Sequence, residues 1–285
     1  MKATTLIGLL IGFISIFGAF IWEGGTVDAL FMLPALLIVL GGTFAAAIAG
    51  TSWEQFKKFP TLIRVSFFPE KYNTIEIINQ IVAFSAISRR DGILKLESRL
   101  PNAKHPYLRK FLEVCIDGGD PDTLDQIATL EINGLTNRHN QNISLFTKMG
   151  GYSPTMGIIG TVLGLISTLA SAGSEPTVLI HHIATAFIAT MWGILLANLV
   201  WLPIADKLRY LHNEEIVLLN IILEGVQAIQ VGEVPMVIQA RLISALPIKE
   251  QNKILAGRQA RYVSPDITTK LHTTSQQNPQ VQEGQ

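Results

Sequence analysis

Residues 152–168 place oxygen atoms where a run of hydrocarbon is otherwise found. Pro154, Gly157, Thr161, Gly164 and Thr168 recur at i, i+3, i+7, i+10 and i+14, which is one side of a helix. Around them stand Ile158, Ile159, Val162, Leu163, Leu165 and Ile166. The stretch is therefore an apolar helix with a groove of small residues, hydroxyls and one backbone carbonyl freed by the proline. Two uses fit such a groove: a second helix packs closely into it, or a hydrated ion passes along it. A second apolar stretch, residues 178–204, sets Thr190, Gly193 and Ala197 on one face and Pro203 at its end beside Trp201.

What the apolar stretches lack matters equally. Asp, Glu, Lys and Arg are absent from residues 6–22, 29–52, 149–174 and 176–205. A proton or cation pathway normally needs an ionisable group at membrane depth. Either the chain moves no ions, or a partner brings the carboxylate. His181 and His182 are the titratable groups at the edge of these stretches and read as interface polar groups rather than proton relays. There is no P-loop, no GxSxG, no HExxH and no cluster with metal-ligand spacing, so neither enzyme activity nor a bound cofactor has support. Cys115 is the single cysteine, which excludes an intramolecular disulfide and a multi-cysteine metal site. A net charge of zero gives no support for a nucleic-acid partner.

These groups need elements to position them. With 285 residues, 48% hydrophobic and 15% charged, the chain is too apolar for an ordinary soluble domain. A membrane helix takes about 20 apolar residues, and four stretches approach or exceed that. The expected fold is all-α: a polytopic membrane protein with four transmembrane helices in two hairpins plus a cytoplasmic helical domain. Lys2 precedes the first span, thirteen Lys and Arg lie from Lys57 to Lys148, eight lie from Lys207 to Lys270, and residues 23–28 and 171–177 contain none. The positive-inside rule then puts both termini and both large segments in the cytoplasm. The first apolar run lacks a clear cleavage site and returns at once as a second span, so it is expected to remain as a hairpin.

The organisation expected is a transmembrane hairpin at residues 1–52, a cytoplasmic helical domain at 53–148, a second hairpin at 149–205, a cytoplasmic helical region at 206–263 and a disordered tail at 264–285. Pro34 falls in the first turn of the second span, where a missing N–H costs little. Residues 53–69 alternate aromatic and basic side chains, which fits an amphipathic segment at the headgroup level or a helix packed on its neighbours. Asn73 and Glu76 have capping-box spacing and open a helix ending near Gly92. Further helices are expected over residues 93–100 and 106–116, the latter closed by Gly118 and Gly119. Asp120 and Pro121 start another, with a break at Gly134, and Gly173 and Ser174 form the loop between the last two spans. A helical region over residues 214–246 is expected in two pieces, separated near residues 232–235.

Three segments carry a resemblance: residues 153–165 (SPTMGIIGTVLGL), 189–198 (ATMWGILLAN) and 202–207 (LPIADK). Together they resemble the MotA/PomA family of flagellar stator A subunits, over residues 5–245. The resemblance implies an ion-conducting subunit of a homo-oligomeric ring, a pentamer, in the bacterial inner membrane. It implies a MotB/PomB-type B subunit that brings the missing membrane aspartate, a rotor switch-complex protein as the second partner, and sodium or protons as the transported ion. Pro154 and Pro203 match the family's two functional prolines, and Thr190 matches its threonine facing the ion path. Thr161 matches a position where sodium-driven members resemble this chain, and a hydroxyl there can replace part of a hard cation's hydration shell. The chain departs from some sodium-driven members at Met32, where those carry an acidic residue. Arg89 and Glu97 match the family's rotor-contacting charges, with solvated helix charges as the plain alternative. Two other functions stand against this one: a TolQ/ExbB-type energiser, which the first hairpin and Lys2 disfavour, and a self-contained channel, which the absent carboxylates disfavour.

Overall fold

The computed structural model of the chain describes residues 4–70, 72–171, 173, 175–252 and 254, and among these the fold is all-helical. Helix α1 is Thr4–Trp22. A single turn, α2 (Val27–Leu30), precedes α3 (Leu33–Ala49). Two short helices follow, α4 (Trp53–Phe56) and α5 (Phe59–Phe67). Then come α6 (Thr74–Asp91), a 3-10 helix (Ile93–Asn102) and α7 (Pro106–Ile116). The chain continues through α8 (Pro121–Ala170), α9 (Pro176–Gln230) and α10 (Pro235–Ser244), and residues 248–252 are helical again. Helices α8 and α9 are long and apolar enough to cross a membrane, while Leu6–Trp22 and Leu33–Ala49 are shorter apolar helices.

The chain divides into two compact units, Met1–Tyr72 with Asp125–Asn220, and Asn73–Leu124 with Ile221–Gln285. In the first unit, Ala35 and Val39 of α3 pack with Ile188, Ala189, Trp192 and Leu195 of α9, and Phe13 and Phe17 of α1 lie against them. Burying the Trp192 indole requires a partner for its N–H, and it donates to the Leu30 carbonyl at 2.8 Å. A second cluster joins Ala47, Leu62, Phe146, Met149, Trp201, Ile204 and Leu208. The second unit buries Ile77, Ile78 and Ile81 of α6, Leu96, and Leu108, Phe111 and Leu112 of α7. Helices α6 and α7 each end near a glycine with φ of +87°, Gly92 and Gly118, a conformation that costs glycine least.

Four local expectations change. Asn73 caps α6 by position, but its side chain makes no capping bond, and the Glu76 carboxylate pairs with Lys104 instead. Helix α8 runs through Gly134 without a break. One glycine costs a helix interior only about 1 kcal/mol, and Leu124, Ala128, Leu135 and Ile143 on the same helix are buried. Residues 53–69, expected as an amphipathic segment or a helix packed on its neighbours, form two short helices rather than one. Phe56 and Phe59 pack against Phe44, and Phe59 also meets Phe146 and Trp201, while Trp53 and Phe68 are exposed. Residues 93–102 form a 3-10 helix that carries Pro101 in its last turn rather than stopping before it. The expected tail at 264–285 and Ser174 lie outside the described residues.

Candidate ion path

Helices α8 and α9 cross where side chains are almost absent. A Cβ added at Gly157 would stand 2.9 Å from the Ala189 carbonyl oxygen and 3.0 Å from the Thr190 Cα. At Gly164 it would meet the Ala186 Cβ at 2.7 Å, and at Gly193 the Ser153 carbonyl oxygen at 2.7 Å. The groove that the spacing of residues 154–168 describes is therefore filled by a second helix of the same chain, and the glycines let the two backbones touch.

Close approach brings the hydroxyls together. The Thr161 and Thr190 Oγ1 atoms are in direct hydrogen-bond contact. Thr161 Oγ1 also lies 3.1 Å from the Gly157 carbonyl and 3.2 Å from the Ala186 carbonyl, and Thr190 Oγ1 lies 3.3 Å from the Gly157 carbonyl. Four oxygens from two helices thus converge at one half-buried point. Each threonine has one proton to donate, so lone pairs are left over. A hard cation shedding water, or a water chain, finds oxygen ligands here and no fixed charge. Thr168 does not join the cluster, because its hydroxyl bonds back to the Gly164 carbonyl at 2.9 Å.

The two prolines sit apart from this point. Pro154 lies one helical turn from Gly157 on α8, and its missing N–H leaves the Gly150 carbonyl without its usual partner. Beside it, the Ser153 hydroxyl is buried with no hydrogen-bond partner. Pro203 follows a π-helical turn, Ala197–Trp201, inside α9, near where Leu202 packs on Gly150. The structure brings Thr161 and Thr190 together and leaves Pro154 and Pro203 further along the same helix pair. In the second unit, the Arg89 guanidinium donates to the Gly232 carbonyl at 3.0 Å. Glu97 is exposed on the 3-10 helix, whose Leu96 and Leu100 are buried.

The MotA/TolQ/ExbB proton channel family model matches residues 99–220, and the motility protein A N-terminal model matches residues 6–91. Motility protein A of Bacillus subtilis is 32% identical over 262 residues, which is 92% of this chain and 97% of the relative. The chain belongs to the motility protein A family. Motility protein A of Treponema pallidum is 33% identical, over 89% of this chain and 97% of the relative. Chemotaxis protein PomA of Vibrio alginolyticus is 30% identical, over 85% of this chain and 94% of the relative. The flagellar MotAB stator complex from Bacillus subtilis contains a chain that superposes with a TM-score of 0.82 at 32% identity, covering 88% of this chain and 98% of that one. Membership in this family, with two long apolar helices, makes the chain a membrane protein.

Several features of the family member escape sequence reasoning. The π turns at Leu37–Gly41 and Ala197–Trp201 have no periodic signature, and Pro203 is the sole hint of the second. The buried Ser153 hydroxyl looks like any small residue of the stripe. His139 and His212, far apart in sequence, face each other at 3.2 Å between Nδ1 atoms, and no spacing rule would pair them. Among the described residues, no group of three His, Cys, Asp or Glu is placed to hold a metal ion.

Proposed function

We propose that this chain is the A subunit of a flagellar motor stator and conducts sodium in partnership with a second subunit that supplies the membrane carboxylate. One observation carries the reading: the Thr161–Thr190 oxygen cluster at the α8–α9 crossing, in a chain of this family whose apolar stretches contain no charged residue. A proton or cation path normally also uses an ionisable group at membrane depth, and in this reading another protein brings it. The solved relatives are MotAB complexes, which supports a B-type partner here.

In this reading α1, α3 and the apolar parts of α8 and α9 are four spans of the bacterial inner membrane. The distribution of Lys and Arg supports cytoplasmic termini. The exposed apolar side chains Ile158, Ile159, Val162, Leu163, Leu165 and Ile166 meet lipid, the partner helix or further copies in a pentamer. Pro154 and Pro203, one on each helix at the same end of the crossing, break the backbone bonding there and let the pair bend as the ion passes. Arg89 and Glu97 face a rotor protein. An energiser of the TolQ/ExbB type is disfavoured by the motility-specific N-terminal match over residues 6–91.

The test is swimming speed against sodium concentration in cells whose only stator gene encodes this chain. Loss of swimming on deletion is expected, and Thr161→Ala is expected to shift half-maximal speed to higher sodium. Unchanged swimming after deletion contradicts the stator assignment. A speed curve indifferent to sodium contradicts the choice of ion.

A further inference from the structure

Away from the ion path, and beyond the cluster of Phe146, Met149, Trp201, Ile204 and Leu208, α8 and α9 also meet through two imidazoles. His139 of α8 and His212 of α9 stand edge to face, with ring centroids 5.2 Å apart at 82° and Nδ1 atoms 3.2 Å apart. The Glu215 carboxylate oxygen lies 3.8 Å from His139 Nδ1. His212 is 8% exposed. The electrostatic neighbours of the pair are Arg138, before His139 on α8, and Glu215, one turn after His212 on α9.

The proton count follows from this geometry. A hydrogen bond between two Nδ1 atoms needs one of them protonated and the other bare. One added proton can go to the Nε2 of the donor ring and leaves that bond intact, with Glu215 as a nearby counter-charge. A second added proton has only the bare facing Nδ1. It turns the bond into two N–H groups pointed at each other on two like charges. The pair is therefore a clasp that survives one extra proton and opens on two.

We infer that His139, His212 and Glu215 form a proton-binding site that reads cytoplasmic pH, clasping α8 to α9 at neutral pH and opening on acidification so that ion flow through the same helix pair slows. The ion-flow half rests on the proposed function, whereas the proton site itself does not. Burial holds both histidines below their usual range, with Arg138 adding to this for His139 and the neighbouring His139 for His212. Burial pushes Glu215 up. A histidine lowered in the folded state binds fewer protons there than in the opened state. Stability is then full at neutral pH and is lost as pH falls below the ordinary histidine value of about 6.5. The clasp sits about 33 Å of helix from Thr161 along α8 and a similar length from Thr190 along α9, at roughly 1.5 Å per residue. Opening it changes how the two helices are held together at one end of the ion path.

Two measurements on the full-length protein test this. The first is the thermal midpoint of the complex, purified from its own membrane, between about pH 8 and pH 5.5. Wild type is expected to lose about 2–4 °C more than His212→Gln or His139→Gln over that range, because glutamine keeps a polar group and cannot titrate. The second is swimming speed at fixed external pH while a permeant weak acid acidifies the cytoplasm. Wild type is expected to slow, and either variant to slow less. Should one variant fail to accumulate, the other, on the opposite helix, carries the test. Superimposed stability profiles for wild type and both variants overturn the proton site. Different stability profiles with identical responses to the weak acid overturn its regulatory role. Different stability profiles in cells whose swimming never depends on the chain leave the site standing and remove the stator assignment.

Discussion

Replacing Gly193 with alanine tests the close crossing of α8 and α9 most sharply. The new methyl would stand 2.7 Å from the Ser153 carbonyl oxygen, 3.1 Å from the Gly157 Cα and 3.3 Å from the Gly157 nitrogen. All three are backbone atoms, so no side-chain rotation relieves them. Ordinary carbon contact begins at about 3.5 Å, and the helices must move apart by a substantial fraction of an ångström. Overpacking of this kind costs about 1–3 kcal/mol. The same movement stretches the Thr190–Gly157 contact, already 3.3 Å, out of hydrogen-bonding range, which costs about 0.5–1.5 kcal/mol more. Alanine returns at most about 1 kcal/mol of helix propensity. The net is a loss of about 1–3 kcal/mol, or several degrees in thermal midpoint, together with loss of the hydroxyl cluster. Gly151→Ala is the control, since a Cβ there meets nothing within 4 Å and is expected to be neutral or slightly stabilising. Thermal unfolding of the detergent-purified proteins checks both. A Gly193→Ala protein that melts with wild type would refute the tight crossing.

Other expectations concern the second unit. Gly118→Ala forces a side chain onto a φ of +87° and is expected to destabilise by about 1–2 kcal/mol, read as a lower thermal midpoint. Cys115 is buried, and burial pushes its thiol up to about 11. Maleimide at neutral pH should therefore label it only after denaturation, and rapid labelling of the folded protein would contradict its burial. Asp120 accepts a 2.6 Å bond from the Thr123 N–H at the start of α8, which lowers its carboxyl below the usual range. Its contribution is present above the ordinary aspartate value of about 3.9 and disappears as pH falls below it. Asp120→Ala should thus lower the midpoint at neutral pH and match wild type in acid.

Much of this architecture was legible from residue order. The apolar runs stand out because 20 or so residues without charge are rare in soluble proteins. The stripe of Pro154, Gly157, Thr161 and Gly164 is visible because helix periodicity is regular, and Gly157, Thr161 and Gly164 meet α9. What periodicity could not decide was the groove's occupant, since packing and conduction ask for the same small residues. At this crossing, close packing is what brings the hydroxyls into contact. Local signals failed where tertiary contacts outweighed them. Gly134 did not break α8 because buried neighbours hold the helix on both sides, and Glu76 left its capping role for Lys104. The facing histidines were illegible for a simpler reason: two helices had to fold before Nδ1 could meet Nδ1.

The most direct test of the central claim is what the chain carries out of its own membrane. Extracted in mild detergent and identified by mass spectrometry, it should bring a single-span protein with one aspartate in its membrane helix. That partner would supply the charge that residues 6–22, 29–52, 149–174 and 176–205 lack. Recovery of the chain alone, with ion flux when reconstituted by itself in liposomes, would contradict the account.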